Sequence, residues 1–218
     1  ITKRIKSAIN DSITPFTFQF TIAAQPGPTS FEEQTNYPAG NQPYYVVSGD
    51  VDKDADNDIV VVNRLDATIS VLKNYGDGTF APKVDYASRP HPQALALVDV
   101  DNDGDLDVAV ANTNSFFVSV FKNDGTGNFP ARLDYLAFGP PNGVACPDLN
   151  GDGLADLVVT DLSSNGVTSF PNDGNGDFPS KTTYSAGGGA MSVVACDVNG
   201  DGALDALTVN TISSSHIE

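Results

Sequence analysis

Residues 99–107 read "DVDNDGDLD", and five of these nine residues are aspartate. That density of like charge in one short segment is unfavourable unless something cancels it. The same stretch occurs four times, as "DVDKDADND" from Asp50, "DVDNDGDLD" from Asp99, "DLNGDGLAD" from Asp148 and "DVNGDGALD" from Asp197. The starts are 49 residues apart each time. Two aromatic series keep the same step: Phe31, Phe80, Phe129 and Phe178, and Tyr37, Tyr86, Tyr135 and Tyr184. Asn74, Asn123 and Asn172 open the turn-like stretches "NYGDGTF", "NDGTGNF" and "NDGNGDF". Three series in register define a structural repeat of 49 residues.

Within one repeat, "ALALVDV" (94–100) runs into the Asp loop, and "DVAVAN" (107–112) leaves it. "FFVSVFKN" (116–123) and "ARLDYLAF" (131–138) follow. Each run is short, rich in β-branched or aromatic residues and bounded by turn residues, which is how strands read. No run sustains a helical period. Four short antiparallel strands, A to D, in a unit of this length describe one blade of a β-propeller. The expected fold class is therefore all-β, a propeller of four-stranded antiparallel blades.

Three complete A–D sets run from about Tyr44 to Tyr184, and strands A and B of another set follow at 191–210. At the other end, "FTFQFTI" (16–22) and "FEEQTNY" (31–37) match strands C and D. Residues 16–211 span four periods. The expectation is a four-bladed ring closed by pairing N-terminal strands C and D with C-terminal strands A and B. Closure removes free sheet edges. A piece of a larger propeller and a dimer exchanging half-blades are the alternatives to a closed monomer. Residues 1–15, with the basic opening "ITKRIKS", are expected to be an extension, and 212–218 a tail.

The spacing within each loop explains its charge. D-x-[DN]-x-D-G-x-x-D puts side-chain oxygens at positions 1, 3, 5 and 9, and the backbone carbonyl of position 7 can join them. Hard cations such as Ca²⁺ take six to eight oxygens in flexible geometry. The candidate ligands are Asp50, Asp52, Asp54, Asp56 and Asp58 in the first loop and Asp99, Asp101, Asp103, Asp105 and Asp107 in the second. In the third they are Asp148, Asn150, Asp152, Leu154 and Asp156, and in the fourth Asp197, Asn199, Asp201, Ala203 and Asp205. Up to four Ca²⁺ are expected. Glycine at position 6 allows the positive φ that wraps the loop, but the first loop has Ala55 there, where an L-residue is disfavoured. A helical calcium hand needs a Glu at position 12, and Val61, Val110, Val159 and Thr208 stand there instead.

Composition narrows the function. The 218 residues carry a formal net charge of −17, with 28 acidic against 11 basic side chains. The four loops hold 16 of those 28 acids. No basic surface exists to engage phosphates, so nucleic acid is not an expected partner. No apolar run reaches the ~20 residues that span a bilayer, so no membrane insertion is expected.

The four Asp loops between strands, each followed one hairpin later by a Gly/Asn–Phe turn such as "GTF" (78–80) or "GNF" (127–129), resemble FG-GAP/VCBS repeats. These build the integrin α-subunit propeller and many surface proteins. The resemblance covers about 16–211 and implies calcium of mainly structural use in a module for adhesion or carbohydrate binding, or in one attached to a secreted enzyme. Calcium sites of this type fill at extracellular concentrations, so an extracellular, periplasmic or cell-surface location is expected.

A carbohydrate or protein ligand is expected on the face opposite the calcium loops, at "SRPHPQ" (88–93), "FGPPN" (138–142), "NTNSF" (112–116) and their equivalents. A structural segment of a larger surface protein and a module of a polysaccharide-active enzyme are the alternative functions. Catalysis is not expected. His91 and His216 are the only histidines, and no nucleophile–base, zinc or phosphate-loop pattern accompanies them. Cys146 is one period from Ala195, not Cys196, so the two thiols face opposite ways and are expected to be free and buried.

Overall fold

The computed structural model describes residues 17–20, 35–163 and 165–211. The anticipated extension at 1–15, the tail at 212–218, Phe31 and His216 lie outside them. Three four-stranded antiparallel sheets follow one another. The first is β3 (Pro43–Gly49), β4 (Asp58–Asn63), β5 (Thr68–Leu72) and β6 (Val84–Ala87). The second is β7 (Pro92–Val98), β8 (Asp107–Asn112), β9 (Phe117–Lys122) and β10 (Ala131–Leu136). The third is β11 (Pro141–Ala145), β12 (Leu157–Asp161), β13 (Gly166–Phe170) and β14 (Thr182–Ser185). In each, strands pair in sequence order, as consecutive hairpins require.

Two shorter sheets flank these blades: β1 (Thr17–Phe20) with β2 (Thr35–Pro38), and β15 (Ala190–Cys196) with β16 (Asp205–Asn210). The expected pairing of the two half-blades into a fourth blade is not formed among the described residues; they stand as separate sheets. The N-terminal pair is also out of step with the repeat. β5 and β6 pair Thr68 with Ala87, which one period earlier would set residue 19 against Pro38, yet Thr17 holds that place.

The strand-B sequences are apolar at nearly every position because both faces are covered. β4 and β8 are buried along their whole length. Alternation assigns the two faces to different neighbours. Val60 and Val62 pack with Leu95, Val108, Val110 and Phe121 of the next blade, while Ile59 and Val61 pack back toward Tyr37 and Ala39. Ala109, on the other face of β8, joins Leu157, Val159 and Phe170 of the third blade. The core therefore lies between blades, and no blade has one of its own.

The periodic aromatics close these seams. Tyr37 meets Phe80, Tyr86 meets Phe129 and Tyr135 meets Phe178, each edge-on with ring centroids 5.1–5.5 Å apart. Tyr184, the next in the series, is 59% exposed. The inner strands share a further feature. Each has a break in register near its start, between Pro43 and Tyr45, Pro92 and Ala94, Pro141 and Val144, and Ala190 and Ser192.

Candidate metal centre

Each Asp loop joins an inner strand to the buried strand beside it, and its fold is set by carboxylates accepting from backbone N–H groups. The position-1 aspartate accepts from the N–H of position 6 at 2.9 Å in all four copies: Ala55 to Asp50, Gly104 to Asp99, Gly153 to Asp148 and Gly202 to Asp197. At position 5, Asp54, Asp103, Asp152 and Asp201 accept from position 7 at 2.8–2.9 Å. Such bonds draw the chain into consecutive tight turns.

Position 9 is the anchor. Asp58, Asp107 and Asp156 are almost fully buried at the start of strand B. Each accepts from the N–H of position 2 and from the N–H of the periodic Asn one hairpin later. For Asp107 these donors are Val100 at 3.0 Å and Asn123 at 2.8 Å. Asp205 accepts from Val198 at 3.1 Å and is less enclosed. Burial pushes the Asp107 carboxyl up to about 6, and Asp58 is raised for the same reason.

Ala55 adopts φ 73°, close to the 84–87° of its glycine counterparts Gly104, Gly153 and Gly202, so the first loop keeps the shape at the cost of a left-handed L-residue. Position 4 is left-handed as well, at Lys53, Asn102, Gly151 and Gly200. Glycine there in copies three and four was the available signal, and the sequence reading did not use it.

The first two loops gather carboxylates. One oxygen each from Asp50, Asp52 and Asp58 lies within 4.8 Å of the others, and Asp99, Asp101 and Asp107 repeat the cluster. Asp52 Oδ1, Asp99 Oδ1 and Asp101 Oδ1 are buried without a hydrogen-bond partner. Buried carboxylate oxygens that no N–H satisfies are costly, and a hard cation is the partner their chemistry fits. Asp54 and Asp103 fall outside these triplets. Loops three and four differ at position 3, where Asn150 Oδ1 and Asn199 Oδ1 accept from the N–H of position 5 at 2.9 and 2.8 Å. At position 7, the candidate through its carbonyl, Asp56 sets its carboxylate against Gly76, whereas Leu154 and Ala203 have no side-chain oxygen.

Three lysines belong to the centre and escaped the sequence reading. Lys73 Nζ lies 3.5 Å from Asp52, and Lys122 Nζ lies 3.2 Å from Asp101. Each also donates to a turn carbonyl of the following blade, Thr126 or Asn175. Lys53 reaches from the first loop to pair with Asp105 in the second. That hydrogen bond raises the Lys53 ammonium above its ordinary value. The place of Lys73 and Lys122, directly before the periodic Asn, was the signal for two of them; Pro171 stands there in the third repeat, opposite Asn150.

The FG-GAP-like repeat pattern matches this chain at residues 50–110, 99–159 and 148–208. Each match runs from one Asp loop through the next. Among solved structures, BBS1N, crystallised in complex with ARL6DN and soaked with lead, is 16% identical with a TM-score of 0.56 over 94% of this chain. The chain spans 60% of that protein. An Agrocybe aegerita lectin that recognises non-reducing terminal N-acetylglucosamine is 17% identical, with a TM-score of 0.49, 87% of this chain covered and 68% of the lectin. The V. cholerae biofilm matrix protein Bap1 is 22% identical, with a TM-score of 0.44 over 95% of this chain and 32% of its own. At these identities the likeness is one of fold, and it is that of BBS1N that carries it. No curated protein matches the chain significantly.

Proposed function

Because the chain belongs to the FG-GAP-like repeat family, we propose that it is a calcium-stabilised β-propeller recognition module of a secreted or surface protein. The observation that carries this reading is the second loop, where Asp99 and Asp101 each aim an unpartnered buried oxygen beside the Asp107 carboxylate. Asp50, Asp52 and Asp58 would hold a second ion. Calcium suits an all-oxygen set of carboxylates, where zinc favours nitrogen and sulfur. Loops three and four offer fewer charged donors and would bind more weakly.

The ion's part here is charge neutralisation and cross-linking of the loop. Each loop ties an inner strand to the strand buried between blades, so a filled loop fixes the seam between neighbours. Binding to the folded state alone raises stability by mass action. The opposite face, formed by the connections D–A and B–C, is free to present a carbohydrate or protein ligand. On that face His91 Nδ1 is buried without a hydrogen-bond partner. Titration calorimetry of the chelator-treated protein with CaCl₂ tests the reading. Saturable binding that vanishes in Asp99→Asn/Asp101→Asn for one site supports it, and absence of any heat up to ten millimolar calcium defeats it.

A further inference from the structure

Five asparagines of the chain stand directly before a glycine: Asn142, Asn150, Asn165, Asn175 and Asn199. Such a pair is open to an internal reaction, because no Cβ on the second residue shields its backbone nitrogen from the carboxamide carbon of the first. The fold treats the five differently. Asn150 and Asn199 occupy position 3 of the third and fourth Asp loops, and both members of each pair are exposed. A Cβ on Gly151 or Gly200 would meet no atom of the described residues within 4 Å. The other three glycines, Gly143, Gly166 and Gly176, are buried. The Gly143 N–H donates to Thr160 Oγ1 at 2.8 Å, and a Cβ there would stand 2.9 Å from Ser192 Cα. Gly166 is paired with Asp161 and Ser185 inside the third blade. The Gly176 N–H donates to the buried Asn172 Oδ1 at 3.3 Å, and a Cβ there would stand 3.0 Å from Val100 Cγ2.

Local bonds prepare the two open pairs. Asn150 Oδ1 accepts from the Asp152 N–H at 2.9 Å and Asn199 Oδ1 from the Asp201 N–H at 2.8 Å, which folds each carboxamide over the peptide that follows it. The nitrogen of that peptide donates in turn, Gly151 to Asp148 Oδ1 at 2.8 Å and Gly200 to Asp197 Oδ1 at 2.6 Å. An acceptor is therefore in place for the proton that this nitrogen must lose before it can attack.

We propose that Asn150 and Asn199 are sites of spontaneous deamidation, and that the aspartate it yields gives loops three and four the carboxylate that loops one and two carry at position 3. The glycine nitrogen gives up its proton and bonds to the asparagine Cγ. The carboxamide nitrogen takes up a proton and leaves as ammonia. Water then adds across one C–N bond of the five-membered imide, with no change of oxidation state. Opening at one carbonyl gives aspartate. Opening at the other gives isoaspartate, which lengthens the backbone by one carbon and spoils the loop. On the aspartate branch, position 150 stands between Asp148 and Asp156 as Asp101 stands between Asp99 and Asp107. This consequence rests on the calcium reading; the conversion itself does not.

The test is peptide mapping by mass spectrometry after incubation at pH 8 in EDTA, with one sample folded and held below its melting temperature and another in urea. In urea all five pairs gain one mass unit at comparable rates. In the folded protein Asn150 and Asn199 keep converting, while Asn142, Asn165 and Asn175 fall far behind their rates in urea. No gain at Asn150 and Asn199 in the folded chain, or a gain matched by the other three, overturns the proposal. Native mass spectrometry reads the consequence. Asn150→Asp/Asn199→Asp raises the calcium plateau from the two ions expected at the triplets of loops one and two to four, each added charge tightening its loop about tenfold. A plateau that stays at two in this variant overturns the gain of sites. No uptake by either chain sinks the calcium reading, and the conversion then stands or falls on the peptide map.

Discussion

Asn123 Nδ2 donates 2.7 Å to the carbonyl of Val51, 72 residues earlier and in the preceding blade. The same amide donates to Leu106 O at 3.0 Å, while its Oδ1 accepts from Gly125 and Gly127 at 3.1 Å. One buried side chain thus ties its own turn, its own Asp loop and its neighbour's loop together. Asn172 repeats the set, donating to Val100 O at 2.7 Å. Asn123→Ala strands several of these groups and is expected to cost about 2–4 kcal/mol, as broken buried networks do. Asn74 is more exposed and its amide donates to Asn57 within its own blade, so Asn74→Ala costs less. Urea unfolding of both variants checks the order.

Two ions per chain are expected to bind most tightly, at the loops with three gathered carboxylates. Native mass spectrometry at rising calcium reads this as a plateau at two before further uptake. Asp101→Asn lowers the plateau by one, whereas Asp152→Asn leaves it unchanged.

Metal dependence carries a pH signature. In the metal-free fold Asp107 ionises only near pH 6, against 3.8 for an ordinary aspartate. A folded value above the unfolded one means that its contribution to metal-free stability is present below about pH 4 and is lost as pH rises through 6. Calcium needs the ionised form, so its stabilisation acts in the opposite direction. The gap in melting temperature between calcium and EDTA is expected to be wide at pH 7.5 and to close below pH 6. A gap that does not change with pH contradicts this assignment of Asp107.

Ala55→Gly is expected to stabilise the protein by about 1 kcal/mol, because the left-handed backbone at φ 73° no longer opposes a Cβ. The same change at Ala203, where no positive φ is found, brings no gain. Thermal melts in EDTA measure the difference without interference from metal.

Cys146 packs against the seam between the second and third blades, and burial pushes its thiol up to about 12. A disulfide reagent at pH 8 is expected to label Cys196 alone in the folded protein and both thiols in denaturant.

Blades were legible because their signals are local and recur. The strand runs, the loop spacing and the 49-residue step all lie in the order of residues, and β7 to β10 fall within a few residues of the expected strands. What depends on neighbours was not legible. The expectation that both cysteines are buried fails at Cys196, which is exposed, and is met only in part at Cys146, which is half-buried; strand alternation tells which way each faces but not how far another blade covers that side. Lys73 and Lys122 were unremarkable as sequence, since their partners lie on other loops and in the next blade. The register breaks at Tyr44, Gln93, Asn142 and Met191 leave no mark in composition, because they are a property of pairing.

The constant step has a consequence for how such a chain can change. Bonds between blades recur at fixed separations, 49 residues for Gln93 to Tyr44 and for Asn142 to Met191, and 72 for Asn123 to Val51 and for Asn172 to Val100. Excising one whole period therefore splices equivalent positions together, so each strand, loop and turn still meets the kind of partner it had; a cut of another length inside a blade joins unlike positions at that seam. The molecule is a ruler graduated in whole blades.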